Sequence, residues 1–558
     1  MWVKKNPKIK TIKDVVLANT GLTEEELAVP KEHYRIDKIT DAAEMIKATA
    51  KTDTPISVVA DYDADGICAA AIMWMMFRAL GVKPKIRIPR RFSEGYGLSE
   101  NIIDELMPGL LITVDNGIVA HAAIQKAKGL GFSVIVTDHH LGDGVSLPPA
   151  DIIIDPNAIP GSADFDGYCG AGIAYKLAIE VLGKDHPLIP VLLSYAAIAT
   201  VADVMPLIHE NRFIVKNGLE SMLGRGKTTG LGALLEICGL DKYITEKNIA
   251  FKIGPILNAP GRLEDDGAMM SVRQLVFNGN MDTAREMAIA LNEMNETRKT
   301  KKLEGLEVLE QLIRDDCMYG ESPLCIYSPG LNEGLVGIYA GALAEEYKTP
   351  CFVFTDSEIE GVIKGSGRSF GGVHLKNLLD TNSDILYKYG GHAEAAGVSV
   401  KKENFEEMKS RFSESMGEIK SDDNQYYDLE ISAEDIPAVL NELQNFAPYG
   451  VGNPEPIFFV SNYNLNPTAQ GFAKTLGQNN EHLKLFNLHA NGIAFGMAQR
   501  YERMGSPRAL QVYGVLSYNY YMNKLYPQAE ILDLEACNVE VKKTALAALL
   551  SQKAATKH

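Results

Sequence analysis

The stretch ISVVADYDADGICAAAIMW, residues 56–74, decides how the chain is read. An apolar run ends in Asp61, Asp63 and Asp65 on alternate positions, followed by Gly66 and a run of small and apolar residues. A short apolar strand feeding directly into a helix opens an α/β unit. Three carboxylates this close raise one another's pKa unless a cation offsets the repulsion. An EF-hand calcium loop would need a bidentate glutamate at its twelfth position and a helix in front of it. The twelfth position is Ile72 and PISVVA reads as a strand, so the EF-hand reading fails.

Outward from this stretch the pattern repeats. GLLITV runs into Asp115, FSVIVT into Asp138-His139-His140, and ADIIID follows as a fourth apolar run. Such runs, separated by helical segments, predict buried parallel strands. Ligands of open α/β sheets bind beyond the carboxyl ends of the strands, so polar residues past three strand ends converge on one site. Asp203 in AAIATVADVMPL joins them. Oxygen ligands with an imidazole suit Mn²⁺ or Mg²⁺, the histidine favouring Mn²⁺. A carboxylate-rich site with room for two such ions ~3.5–4 Å apart is apparatus for in-line attack on a phosphodiester.

Length and composition bound the rest. A chain of 558 residues exceeds one compact core and suggests three or four domains. No run of 18 or more apolar residues appears, which argues against a membrane span. The start, MWVKKNPKIKTIKDVV, is basic without an apolar core, and no secretory signal is read there. Seven scattered cysteines without a CxxC pair argue against a zinc ribbon or disulfide framework and fit a reducing cytoplasm. A net charge of −17 excludes bulk electrostatic coating of nucleic acid, so any such contact must be local. One basic cluster exists, KPKIRIPRR, with Lys83, Lys85, Arg87, Arg90 and Arg91; the plainer reading is a solvated strand edge.

Four regions are expected: 1–270, a catalytic domain with an N-terminal extension; 271–317, a long bridging helix interrupted at most by Gly305; 318–422, a second α/β domain; and 423–558, a small barrel. Strands of the second α/β domain are PLCIYS and PCFVFT. After the turn-rich joint FAPYGVGNPEP, about five short strands suit an OB-fold, with a helical tail after Val541. Tyr513, Tyr518, Tyr520, Tyr521 and Tyr526 are candidates for stacking unpaired bases, or ordinary cross-strand packing.

DYDADG, VDNG, TDHH and VADVMPL, in that order and spacing, resemble the four motifs of the DHH phosphoesterase superfamily. RFSEGYGL (91–98), LNAPGRL (257–263), KGSGRS (364–369), GGHAEAAG (390–397) and PYGVGNPEP (448–456) resemble its RecJ branch, over about residues 50–540. The resemblance implies an α/β fold of a parallel-sheet DHH domain, the bridging helix, a DHHA1-type domain and a C-terminal OB-fold barrel. It implies a manganese-dependent (or magnesium-dependent) nuclease, two ions per site, that degrades single-stranded DNA from a free 5′ end to mononucleotides in DNA repair and recombination. Implied metal ligands are Asp63, Asp65, Asp115, His139 and Asp203, with Asp115 bridging; Asp61 supports or joins them. His140 is implied to contact the scissile phosphate or assist proton transfer. Arg91, Arg262, Ser366 and Arg368 are the implied holders of the 5′-terminal phosphate, and Gly390, Gly391 and His392 further substrate contacts. The plainer readings pair Arg262 with Glu264 or Asp265 and make GSGRS and GGHAEAAG tight glycine turns.

Two departures stand out: Val59 occupies a position where distant members carry a metal-ligating histidine, and Asn332 one that is often histidine. Expected partners are a single-strand-binding protein or a helicase, with no membrane and a monomeric chain. The competing expectations are a phosphodiesterase of short oligoribonucleotides or cyclic dinucleotides, a manganese pyrophosphatase, and a catalytically dead replication scaffold. Retention of all the metal carboxylates argues against the scaffold.

Overall fold

The computed structural model describes residues 1–28, 34–142, 144, 146–416, 419, 424–477 and 479–537. It divides into two compact units: Lys31–Met205 with His209–Asp422, and Met1–Pro30 with Pro206–Ile208 and Asp423–His558. The tail expected after Val541 lies outside the described residues.

Strand β1 (Trp2–Lys4) belongs to the second unit. In the first unit, β2 (Ile56–Ala60), β3 (Lys85–Arg87), β4 (Leu110–Val114), β5 (Ser133–Thr137) and β6 (Ile152–Ile154) form a parallel sheet in the order β3-β2-β4-β5-β6. Every residue of β2 and β4 is buried, as in a sheet covered by helices on both faces. The four apolar runs of the sequence are four of these five strands; β3 is the edge strand carrying the basic cluster.

The helix Ala64–Ala79 leaves β2 directly, and its small residues let it bury nearly all its sides. The helix Ile189–Ala202 is buried likewise and ends on Asp203. The bridging helix is uninterrupted over Met281–Asp315, N-capped by Asn280, whose side chain accepts the Thr283 N–H at 2.9 Å. Gly305 does not break it; a Cβ there would stand 2.5 Å from the Tyr339 ring, so the glycine makes room for a buried tyrosine.

The second sheet of this unit is β7 (Leu324–Tyr327), β8 (Cys351–Asp356), β9 (Val362–Arg368), β10 (Leu386–Gly391) and β11 (Ala395–Lys401), ordered β10-β11-β9-β8-β7. Only β7 and β8 are parallel. The glycines of KGSGR sit inside β9 and not in a turn. Gly365 and Gly367 lie opposite Phe354 and Phe352, and a Cβ on either would fall 2.5 or 2.3 Å from those rings. Gly390 and Gly391 end β10 in register with Gly397 and Ala396, so they too are strand residues. The tight-turn reading is corrected for GSGRS; GGHAEAAG does contain a tight turn, residues 392–394 of the β10–β11 hairpin, entered from Gly391 at φ 139° and closed by the His392 N–H donating to the Ala395 carbonyl at 2.8 Å.

In the second unit β13 (Leu429–Ile431), β14 (Phe458–Asn464), β15 (Ala473–Leu476), β16 (His482–Leu485), β17 (Asn491–Ala494), β18 (Ala509–Tyr521) and β19 (Lys524–Ala536) form one sheet, ordered β13-β14-β18-β19-β17-β16-β15. About five strands were expected and seven are present among the described residues; β13 and β15 are edge strands of only three and four residues. β1 pairs in parallel with β12 (Gln425–Tyr427), so the first residues, expected with the catalytic domain, belong here. Trp2 stacks on Tyr513 at 4.5 Å and donates from Nε1 to Asp533 at 2.8 Å. Tyr513 is thereby 9% exposed and does not offer its face to a base. Tyr521 and Tyr526, at the tip of the β18–β19 hairpin, are 59% and 43% exposed.

Candidate metal centre and phosphate cleft

The four groups of acidic and imidazole side chains singled out in the sequence meet at the carboxyl end of the first sheet. Asp63 N-caps the helix Ala64–Ala79, its Oδ1 accepting the N–H groups of Asp65 and Gly66 at 3.0 and 3.2 Å. Asp65, the second residue of that helix, is held from across the site: Gly170 and Ala171 donate their N–H groups to its two oxygens at 2.6 and 2.7 Å. These donors are the first turn of the helix Gly170–Leu182, where unpaired N–H groups favour an anion. Gly170 is required there, since a Cβ would lie 2.5 Å from that of Asp115. Asp115 follows β4 with φ 61°, a left-handed conformation that costs a non-glycine residue about 1–2 kcal/mol and is typical of functional sites.

His139 centres the cluster. Its Nε2 lies 3.1 Å from Asp115 Oδ1, 3.6 Å from Asp65 Oδ2 and 3.6 Å from Asp203 Oδ2. Burial holds its imidazole below the ordinary value, the neutral form a ligand requires. Three sets of ligand atoms each lie within 4.8 Å of one another: Asp115, His139 and His140; Asp65, His139 and Asp203; Asp61, Asp63 and Asp115. Burial, then mutual repulsion, raises the carboxyls of Asp61, Asp63 and Asp115 and lifts Asp203 to about 9. Asp61 Oδ1 and Asp203 Oδ2 are buried without a hydrogen-bond partner among the described residues. A cluster of buried anions with orphaned oxygens and one neutral imidazole fits hard divalent cations. Val59 is an interior residue of β2 and contributes nothing to it.

His140 is set apart from His139. Burial opposes its protonation, but the hydrogen bond to Asp138 at 2.7 Å and that carboxylate's charge outweigh burial and lift it to about 9. Asp138, which the sequence places at a strand end but to which it assigns no role, is the partner of His140. It also accepts N–H groups from Ile118, His139 and His140, so it orients the histidine pair. Tyr96 lies 3.4 Å from the His140 ring nitrogens, and His392 places its ring 6.2 Å from that of His140. The second sheet thus delivers His392, after Gly391, to the mouth of the first.

Arg91 lies over the Tyr62 ring at 4.5 Å. Arg368 donates to Ser366 Oγ at 2.9 Å and to the Gly367 carbonyl at 2.8 Å. Arg262 donates to the Gly334 carbonyl at 3.2 Å. Among the described residues no carboxylate pairs with these three: of the alternative partners of Arg262, Glu264 makes no ion pair with it and Asp265 is occupied by Phe92 and Ser93. Burial, then the charge of Arg91, lowers Arg262 to about 10 and also lowers Arg368. The neighbouring basic cluster is neutralised instead: Arg87 pairs with Glu105 at 3.0 Å and Arg90 with Asp266 at 2.8 Å. Of that cluster only Arg91 reaches the cleft, and Arg87 and Arg90 follow the plainer strand-edge reading.

A parallel sheet carrying DxD, D, DHH and D at its mouth, faced by a second α/β sheet, defines a phosphoesterase of the DHH class. Residues 55–200 match the DHH family N-terminal domain, residues 321–418 the DHHA1 domain and residues 427–533 the RecJ OB domain. The single-stranded-DNA-specific exonuclease RecJ of Salmonella typhimurium is 35% identical over 461 residues, covering 76% of this chain and 78% of that protein. That of Bacillus subtilis is 32% identical over 513 residues, and this chain spans 64% of its length. The crystal structure of RecJ from Thermus thermophilus in complex with Mn²⁺ superposes with a TM-score of 0.77 at 27% identity, covering 93% of this chain and 75% of that one. The chain belongs to the RecJ family.

Among the described residues no helix is long and apolar enough to cross a membrane. All seven cysteines are free.

Proposed function

We propose that this chain is a metal-dependent 5′-to-3′ exonuclease of single-stranded DNA that releases 5′-mononucleotides. The observation that carries the reading is one cleft holding two complementary sets of groups: a buried acid and imidazole cluster, and the guanidiniums of Arg91, Arg262 and Arg368, which have no acidic partner among the described residues. Asp63, Asp65, Asp115, His139 and Asp203 would hold two divalent ions, Mn²⁺ or Mg²⁺, with Asp115 shared and Asp61 in support. Such ions supply water activation and charge neutralisation at a phosphodiester.

The remaining work falls to the chain's own residues. His140, held protonated by Asp138, presents positive charge and a proton to the scissile phosphate. His392 approaches the same phosphate from the second sheet. Gly390 and Gly391 shape the strand end that carries it. Arg91, Arg262, Arg368 and Ser366 grip the terminal phosphate, whose fork-shaped recognition suits guanidinium geometry. A terminus held beside the ions sets cleavage at the first phosphodiester, and hence mononucleotide release. Tyr521 and Tyr526 are exposed for stacking unpaired bases.

The protein acts as a cytoplasmic monomer in repair and recombination, with a single-strand-binding protein or a helicase supplying substrate. The test is digestion with Mn²⁺ of single strands labelled at either end, with and without a 5′ phosphate. Mononucleotides should appear from the 5′ end, and Asp115→Ala and His139→Ala should abolish their release. Release from the 3′ end, or equal digestion of blunt duplex, would overturn the assignment.

A further inference from the structure

A pocket of about 140 Å³ opens beside the metal cluster, walled by Ala202, Gly254, Asn258, Arg262, Arg298 and Ile338. Gly254, Asn258 and Arg262 are spaced by four and share one face of the helix Gly254–Leu263. Ala202 immediately precedes Asp203, and the pocket therefore adjoins the carboxylate cluster. Arg298 enters from the opposite wall, on the long helix Met281–Asp315. It is half-buried, and Nε donates to Asn295 Oδ1 at 3.0 Å. Among the described residues no carboxylate pairs with it. Its charge also bears on Arg262, adding to the burial that lowers that guanidinium. Asn258 has a buried Oδ1 with no partner among the described residues, and rotating its amide offers Nδ2 in the same place.

Two like charges walling one small pocket oppose folding unless an anion joins them. The pocket shares Arg262 with the cluster of Arg91, Ser366 and Arg368, so the anion belongs to that cluster's ligand. A terminal phosphate monoester has a second pKa near 6 and carries nearly two negative charges at pH 7, whereas an internal phosphodiester carries one. A fourth guanidinium matches the additional charge of a terminus. We propose that Arg298 is a further terminal-phosphate residue that reads the dianion from the side of the long helix, and that Arg298 and Arg262 together set the preference for phosphorylated over hydroxyl 5′ ends. The inference rests on the end-recognition reading above and adds a residue that neither the sequence motifs nor the family resemblance singles out.

The experiment compares kcat/KM of the full chain on otherwise identical single strands bearing a 5′ phosphate or a 5′ hydroxyl, with Mn²⁺. Arg298→Gln should lower the phosphate-to-hydroxyl ratio at least tenfold, chiefly through KM for the phosphorylated strand. Arg298→Lys, which keeps the charge and loses the fork, should lower it less; this variant also serves if the glutamine variant melts at a reduced temperature. An unchanged ratio in both Arg298 variants, with the ratio collapsing in Arg368→Ala, would overturn the role of Arg298 while leaving the end-recognition reading intact. An unchanged ratio in all three variants would overturn both.

Discussion

His140 Nδ1 lies 2.7 Å from Asp138 Oδ1, while Asp138 Oδ2 accepts the Ile118 N–H at 3.0 Å. This buried carboxylate belongs to none of the metal-holding groups; its oxygens are committed to orienting and charging the second histidine of the DHH triplet. Burial acts against its ionisation, but the hydrogen bond from His140 and the charge of that ring keep its carboxyl below the usual range.

Asp138→Asn should therefore lower the pKa of His140, measured by NMR in the metal-free protein, from about 9 toward the ordinary ~6.5. Turnover should fall by roughly a hundredfold, the size of a lost proton donor. The stability of the pair has a defined sign. The raised His140 contributes fully below about pH 6.5 and loses its contribution as pH rises through about 9. The lowered Asp138 contributes above about pH 4 and loses its contribution as pH falls below that. The difference in melting temperature between wild type and Asp138→Asn should be largest between those limits; a difference independent of pH would contradict the pairing.

Asp115→Asn should abolish nuclease activity yet raise the melting temperature of the metal-free protein. It removes one buried, mutually repelling carboxylate, and asparagine tolerates the φ of 61° at that position. Differential scanning calorimetry in chelator, paired with a strand-digestion assay, tests both halves. A large fall in melting temperature would show that Asp115 is a structural cap.

The metal-free protein should lose stability as pH rises from about 4 to 9. Asp61, Asp63, Asp115 and Asp203 have raised carboxyls, that of Asp203 to about 9, so the folded state binds more protons than the unfolded state across that range. Mn²⁺ must displace those protons, so its stabilisation should grow with pH and release protons on binding. Melting curves at pH 6 and pH 8.5, each with and without Mn²⁺, check this; equal metal stabilisation at both would contradict it.

The two aromatic positions of the C-terminal unit should separate cleanly. Trp2→Ala removes the stack on Tyr513 and the bond to Asp533, and should cost this unit about 2–3 kcal/mol in denaturant titrations. Tyr521→Ala and Tyr526→Ala, on the exposed hairpin tip, should change stability by less than about 0.5 kcal/mol. Filter binding of a long single strand should weaken about tenfold in the tyrosine variants, the scale of one lost base stack.

The strands of the first sheet were legible because burial on both faces forces unbroken apolar runs, and each run ended on its polar residue. The metal-cluster side chains at strand ends were legible for the same reason, since strand ends of one parallel sheet share one mouth, whereas Asp203 comes from the end of the helix Ile189–Ala202. Two edge strands of the C-terminal sheet were not legible: β13 is only three residues, and β15, AKTL, shows no alternation of apolar and polar residues. The glycines of KGSGR looked like a turn because sequence cannot reveal that Phe352 and Phe354 lie across the neighbouring strand.

By itself the sequence determined the order of the elements, the carboxylate and histidine motifs and the family that shares them. These follow from local periodicity and from spacing along the chain. Only the tertiary structure decided which partner each charge receives. It gave Asp65 to the Gly170 helix, His140 to Asp138, and Arg87 to Glu105, while leaving Arg91, Arg262, Arg298 and Arg368 without acids among the described residues. Charge pairing depends on distances of a few ångströms between residues far apart in the chain, and neither composition nor spacing encodes those distances.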